Sequence, residues 1–168
     1  MDIAPELVVL FVGLAVAAAS DLYSGTIPNA LTFPMMILGV AIGASRGDPW
    51  TPLVGCAAAF AIHFPLFAAG VVRGGDAKLL MGLGACMGWR SVLEATAWFA
   101  IAYVPVALVV LIARGRLGNL VATARYVAAK SQGQDPGPAP EPTVLRTAPV
   151  IAVAGLATWA TDWLAWPR

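Results

Sequence analysis

Two aspartates stand at the ends of apolar stretches in this sequence. Asp21 follows the run "LVVLFVGLAVAAAS", and Asp76 lies in "RGGDAKLL", between a long apolar run and a shorter one. An ionisable side chain at the edge of a membrane segment is costly and is by default a candidate for function. Two carboxyl groups that share a proton can hydrolyse a peptide bond, because the ionised one takes a proton from water while the protonated one polarises the carbonyl group. The pair therefore suggests aspartic peptidase chemistry, which needs no metal and no cofactor.

The residues next to Asp76 suggest how a substrate is received. Gly74 and Gly75 allow a positive φ and a close approach of backbone, which an extended peptide bound at Asp76 would need. Lys78 lies two residues beyond the carboxylate. It either steers charged groups toward the site or anchors its ammonium group among lipid head groups.

The turn after Asp21 is predicted to be ordered. Pro28 interrupts the chain after Ile27, and Asn29 is expected to cap the helix that follows. Asp21 is expected near the C-terminal end of one helix and Asp76 at the N-terminal start of another. The helix dipole then favours Asp76 as the ionised carboxylate and Asp21 as the protonated one. A simpler explanation is that both aspartates merely end helices.

The composition is that of a membrane protein. The chain has 168 residues, of which 60% are hydrophobic and 11% charged, with a net charge of +1. This balance predicts an all-α polytopic membrane protein that forms a single transmembrane domain over residues 1–168. The low net charge argues against a nucleic-acid partner. Cys56 and Cys86 lie far apart and form no C-x-x-C motif, so neither a zinc site nor a disulfide framework is indicated.

Apolar segments define the expected transmembrane helices, which need about 20 residues each. The fourth segment is short, and it is counted as a span because Lys78 can extend its head group outward. About six helices with the N-terminus outside are predicted, at Leu7–Ser20, Leu31–Ala44, Pro52–Val72, Ala77–Trp89, Leu93–Ala113 and Ala148–Trp163.

The distribution of lysine and arginine predicts the orientation. With the N-terminus outside, seven of the ten basic residues fall in cytoplasmic loops, in agreement with the positive-inside rule. Asp21 and Asp76 then both lie at the cytoplasmic boundary. The one long loop, residues 115–147, is predicted to hold a short helix on the membrane surface followed by a disordered linker rich in proline and glycine. The "GD" at Gly47 and Asp48 is expected to be a solvated turn on the opposite side.

The segments "DLYSGTIPNALT" and "GGDAKLLMGLGA" resemble the two signature segments of the type IV prepilin peptidases, a family of intramembrane aspartic proteases. The small size is similar to the CpaA/TadV-like branch that serves Flp-type (type IVb, Tad/Cpa) pili. The resemblance implies that Asp21 and Asp76 are the catalytic aspartates and that Pro28 and Asn29 form the turn beside the first. It also implies a prepilin substrate, a location in the bacterial inner membrane and an active site at the cytoplasmic face.

The sequence departs from the family pattern in two respects. Arg73 stands where the G-x-G-D motif has its first glycine, so it would either narrow the approach of the substrate backbone or bind an acidic group of the substrate. The larger members carry a cysteine-rich insertion and also methylate the new pilin N-terminus. This chain has no such insertion, so a peptidase without N-methyltransferase activity is expected.

Two other functions remain open at this stage. The membrane carboxylates would also suit a small proton- or cation-coupled transporter. A non-catalytic pilus assembly factor is the other alternative, with Arg73 as the mark of lost activity.

Overall fold

The computed structural model describes residues 4–68, 72–138 and 146–161, and in these ranges all regular structure is α-helical. Each predicted apolar segment contains a helix, and a further helix lies in the long loop. The all-α prediction is therefore confirmed. The helices are α1 (Pro5–Ser24), α2 (Asn29–Ser45), α3 (Trp50–Ala68), α4 (Gly74–Met87), α5 (Trp89–Ala113), α6 (Leu117–Ser131) and α7 (Ala148–Thr161).

Three of these helices are long and apolar enough to cross a membrane, namely α1, α3 and α5. Helices α2 and α7 are apolar but shorter. Helix α4 has 14 residues, which at the α-helical rise gives a length of about 21 Å, against about 30 Å for the hydrocarbon core of a bilayer. A helix lies in each of the six predicted segments, but among the described residues three helices reach the length of a full span, so six spans are not confirmed.

Helix α4 is the most enclosed element of the described chain. It packs against α1, α2, α3 and α7, and its side chains Leu79, Leu80 and Leu83 are fully buried. Small residues allow the close approach: a Cβ on Gly84 would collide with the backbone of Gly55 in α3. The glycines of "GLGACMG" therefore serve helix packing.

Large apolar side chains on the outer faces of the long helices are exposed. In α1 they recur every four residues at Val8, Val12 and Val16, which places them on one face. The opposite face of α1 carries the buried side chains Leu10 and Leu14. An exposed apolar stripe on a helix of this length suits contact with lipid.

The turn between α2 and α3 bears out the expectation for the second "GD". Gly47 has φ 81°, and the Asp48 carboxylate accepts hydrogen bonds from the backbone N–H groups of Trp50 and Thr51 at 3.2 and 3.1 Å. Asp48 is exposed. These hydrogen bonds with Thr51 and Trp50 hold the pKa of Asp48 below its usual value. Asp48 therefore caps the start of α3, and it is not a candidate catalytic residue like Asp21 and Asp76.

The chain divides into two compact units, residues 1–102 with 146–168 and residues 103–145. The first unit contains both candidate aspartates. The second contains α6, where Val121 and Val127 are exposed; the side chains of Leu117 and Leu120 lie outside the described residues. Residues 139–145, which include the end of the predicted linker, also lie outside them.

Candidate active site

Asp21 lies in the last turn of α1 with its side chain turned inward. The residue is 0% exposed. Its Oδ2 accepts a hydrogen bond from the backbone N–H of Ala148 at 3.0 Å, and its Oδ1 accepts one from Arg73 Nη1 at 3.4 Å. Helix α1 ends at Gly25, whose φ of 75° is left-handed and whose N–H donates to the carbonyl oxygen of Asp21. The carboxylate is therefore held by a backbone donor and a cation.

Asp76 is the third residue of α4 and is 2% exposed. Its Oδ1 accepts a hydrogen bond from the hydroxyl group of Thr147 at 2.6 Å. Its Oδ2 is buried and has no hydrogen-bond partner in the part of the chain that the structure describes. The position in the first turn of α4 agrees with the sequence-based expectation.

The two aspartates are brought together by the chain that leads into α7. Thr147 contacts Asp76, and the next residue, Ala148, contacts Asp21. Since consecutive Cα atoms are 3.8 Å apart, the two carboxyl groups lie against adjacent residues, Asp76 on a side-chain hydroxyl group and Asp21 on a backbone N–H. Asp21 and Asp76 thus form one buried cluster, although 54 residues separate them in the sequence.

Two arginines hold the C-terminal end of α1. Arg73 donates to the carbonyl oxygen of Gly25, and Arg146 donates to the carbonyl oxygen of Asp21. Cations are favourable at this end of a helix because its last carbonyl groups are unsatisfied and carry partial negative charge. Arg73, the N-cap residue of α4, therefore places its side chain against the C-terminal end of α1 beside Asp21.

The turn predicted after Asp21 is present, but its details differ from the expectation. Ser20 Oγ donates to the carbonyl oxygen of Thr26 at 2.9 Å, which fastens the turn to α1. Pro28 occupies the N-cap position of α2 in an extended conformation, and no side chain caps that helix. Asn29 is already the first helical residue. The prediction that Asn29 caps α2 is wrong, because the helix begins one residue too early for its side chain to reach the free N–H groups.

Gly74 and Gly75 are the first two residues of α4, and neither has a positive φ. The positive φ that glycine allows is not adopted at either position, because both residues already belong to the helix. What the structure requires is space: a Cβ on Gly75 would lie 3.1 Å from Cβ of Ile27, and one on Gly74 would lie 3.3 Å from the ring of Phe67. Gly75 therefore lets the turn after α1 pack against the start of α4.

Lys78 and Asn29, both predicted near the site, contact each other. Lys78 Nζ donates to Asn29 Oδ1 at 2.8 Å and lies 5.5 Å from the centre of the Phe33 ring. The ammonium group therefore links α4 to the start of α2. Among the described residues, Lys78 forms no hydrogen bond with either aspartate.

Sequence reasoning missed the contribution of Arg146, Thr147 and Ala148. A signal was present in "RTAP", where a threonine precedes an apolar run with Pro149 in its first turn, a pattern typical of a helix start. His63, the sole histidine of the sequence, lies elsewhere. It is buried in α3, with Nδ1 2.8 Å from the carbonyl oxygen of Ala59 and Nε2 3.3 Å from Thr96 Oγ1, as expected for a histidine that joins helices.

Comparison with known proteins gives a family for the chain. The prepilin peptidase EppA of Methanothermobacter thermautotrophicus is 31% identical over 108 residues, which are 58% of this chain and 28% of that relative. The alignment therefore spans little more than a quarter of the relative's length. No solved structure matches the chain. Residues 8–116, more than half of the chain, match the type IV leader peptidase family. This range includes both Asp21 and Asp76, and the chain belongs to that family.

Proposed function

We propose that this chain is a prepilin leader peptidase, an intramembrane aspartic endopeptidase whose catalytic residues are Asp21 and Asp76. The observation that carries the proposal is the burial of both carboxyl groups against the adjacent residues Thr147 and Ala148. Membership of the leader peptidase family supports the reaction type. Like charges this close cannot both ionise easily, so the pair shares a proton, as two-aspartate hydrolysis requires.

The hydrogen bonds support Asp21 as the ionised partner. It accepts from a backbone N–H at the start of α7, where the helix dipole favours negative charge, and from Arg73. Asp76 accepts one hydroxyl donor, and its second oxygen has no partner among the described residues. The dipoles of α1 and α4 alone suggested the reverse assignment. The donors from α7 and Arg73, which the sequence did not reveal, outweigh them.

The reaction then runs as follows. Asp21 takes a proton from water while the water oxygen bonds to the scissile carbonyl carbon, and Asp76 transfers its proton to the carbonyl oxygen. When the tetrahedral intermediate collapses, the oxygen returns that proton to Asp76 and the C–N bond breaks. Asp21 delivers its proton to the leaving nitrogen. Both carboxyl groups end in their starting state.

The substrate we propose is a Flp-type prepilin, cut on the cytoplasmic side between its short basic leader and its apolar helix. The protein would be a multi-pass protein of the bacterial inner membrane with the N-terminus outside, so that the C-terminal end of α1 and the start of α4 face the cytoplasm. The excess of lysine and arginine in the connections on that side supports this orientation. We propose peptidase activity without N-methylation, since the chain has no cysteine-rich insertion.

Five further residues have supporting roles in this proposal, namely Arg73, Gly74, Gly75, Pro28 and Asn29. Arg73 stabilises ionised Asp21, while Gly75 and the turn through Pro28 set the distance between α1 and α4. Lys78 joins α4 to α2 through Asn29. These residues shape the site and do not take part in bond breaking.

The test is cleavage of a co-expressed prepilin, read as a gel shift that reports removal of the leader. Wild type should cut, and Asp21→Asn and Asp76→Asn should not, because asparagine keeps the shape but cannot hold the proton. Asp48→Asn is the matched control, since Asp48 is also preceded by glycine but lies in the exposed turn between α2 and α3. Cleavage by either site variant, with normal membrane insertion, contradicts the assignment of that aspartate. A wild type that cuts no prepilin encoded beside it favours the non-catalytic assembly factor.

A further inference from the structure

The start of α7 supplies a donor to each aspartate from two consecutive residues. Thr147 is 5% exposed, and its hydroxyl group donates to Asp76 Oδ1 at 2.6 Å. The backbone N–H of Ala148 donates to Asp21 Oδ2 at 3.0 Å. Thr147 also ties its own position to the helix, because its carbonyl oxygen accepts the N–H of Ile151 at 3.0 Å. The donors are thus part of a rigid helix start.

These contacts bear on which oxygen of Asp76 can carry a proton. A protonated carboxyl group carries its proton on one oxygen, and Oδ1 already accepts the Thr147 hydroxyl hydrogen. In a protonated Asp76 whose Oδ1 accepts this hydrogen bond, the proton would be on Oδ2, the buried oxygen without a partner in the described chain. The hydrogen bond from Thr147 also restrains the side-chain torsion of Asp76, and with it the plane in which the O–H bond lies.

We propose that Thr147 is a positioning residue of the peptidase, which directs the proton of Asp76 toward the substrate and, with the N–H of Ala148, sets the separation of the two aspartates. This inference rests on the proposed function. Thr147 lies outside the part of the chain that matches the family, since that match ends at residue 116. α7 thereby becomes a component of the active site, in addition to the helices that carry the aspartates.

The experiment compares Thr147→Val, which keeps the shape and removes the hydroxyl group, with Thr147→Ser, which keeps the hydroxyl group. Thr158→Val is the matched control, because Thr158 is a second buried threonine of α7 and its hydroxyl group donates to the carbonyl oxygen of Ala154 at 2.9 Å. With purified protein and a prepilin substrate, we expect Thr147→Val to lower kcat about 10- to 100-fold at unchanged KM. Thr147→Ser should keep at least about a third of kcat, and Thr158→Val should be close to wild type.

A second readout does not depend on catalysis. A double-mutant cycle with Thr147→Val and Asp76→Ala, followed by thermal unfolding in detergent, measures the coupling between the two side chains. We expect a clear coupling for this pair and none between Thr158→Val and Asp76→Ala. The cycle tests the contact even if the wild type cleaves nothing, in which case the proposed function fails and the contact is judged on its own.

The outcomes separate the two proposals. If the wild type cleaves and Thr147→Val cleaves equally well, the positioning role is overturned and the proposed function stands. If Thr147→Val and Thr158→Val lose the same activity, or if serine at 147 restores nothing, Thr147 has only a packing role and the inference is wrong. Absence of coupling in the cycle overturns the contact itself.

Discussion

Replacing Gly25 with alanine should disturb the C-terminal end of α1 in two ways. Gly25 has φ 75°, a conformation that costs an L-residue roughly 1–2 kcal/mol. In addition, an added Cβ would lie 3.1 Å from Arg146 Cζ and closer still to Nη1, so the guanidinium group would have to move. It would then lose its hydrogen bond to the carbonyl oxygen of Asp21. Because Arg146 is exposed, we expect this loss to cost about 1 kcal/mol, which brings the total to about 2–3 kcal/mol.

Gly47→Ala is the matched control for this change. Gly47 has a similar φ of 81°, and nothing lies within 4 Å of an added Cβ. It should therefore cost only the backbone part, about 1–2 kcal/mol. The free energy of unfolding is measured by titrating the purified protein with SDS in mixed micelles and following tryptophan fluorescence. In prepilin cleavage, Gly25→Ala should lose about fivefold more activity than Gly47→Ala, since about 1 kcal/mol at the site corresponds to that factor.

A double mutant decides whether Arg146 causes the difference. In an Arg146→Ala background, Gly25→Ala should cost no more than Gly47→Ala, because the displaced hydrogen bond is already gone. If the difference of about 1 kcal/mol persists in that background, the cause lies elsewhere. If Gly25→Ala and Gly47→Ala lower the free energy of unfolding equally in the wild-type background, the proposed displacement of Arg146 is refuted as well.

Three further predictions concern packing, pH and the arginine beside the site. Gly84→Ala should destabilise the protein by about 1–3 kcal/mol, because its Cβ would collide with the backbone of α3; Gly118→Ala in α6, which meets nothing within 4 Å, should be neutral or stabilising in the same SDS titration. Asp48 hydrogen-bonds the start of α3, and its contacts with Thr51 lower its pKa; the stabilisation it gives is present above the pKa of the unfolded chain, about 4, and is lost as the pH falls through the lower folded value. The stability difference between wild type and Asp48→Ala should therefore shrink below about pH 4, and an unchanged difference at pH 2 would exclude this cap. Arg73→Gln should lower prepilin cleavage about fivefold, because the Arg73 side chain is 42% exposed and such an ion pair contributes about 1 kcal/mol or less; a gain in activity would show that Arg73 obstructs the site.

The sequence was sufficient for the helices and for the position of each aspartate along them. Long apolar runs leave few alternatives to a helix in a membrane, where every backbone polar group must be satisfied within its own segment. Where a helix begins with polar residues or glycine, its start cannot be located from the apolar pattern. The predicted segments therefore began at Leu31 and Ala77, whereas α2 and α4 begin at Asn29 and Gly74. This shift accounts for the wrong expectation that Asn29 caps α2, and it places Gly74 and Gly75 inside α4.

The hydrogen-bond partners of the aspartates could not be predicted from local sequence patterns. Thr147 is 71 residues from Asp76, and Ala148 is 127 residues from Asp21. No spacing rule connects positions so far apart, and the contact depends on α7 packing against α1 and α4. The same limit applied to Arg73, whose role beside Asp21 follows from the meeting of α1 and α4. The proposed assignment of Asp21 as the ionised aspartate rests on these contacts.

The most direct test of the account is the single-turnover rate of prepilin cleavage by purified Asp21→Asn, Asp76→Asn and the double variant in lipid nanodiscs. If the two carboxyl groups act as one unit, each single variant should lose about 10³-fold or more, and the double variant should be no slower than the worse single one. All three variants should unfold at SDS concentrations close to that of the wild type, which shows that they are folded. If either single variant cleaves at a rate near wild type, or if the losses multiply in the double variant, the two aspartates do not share one catalytic step.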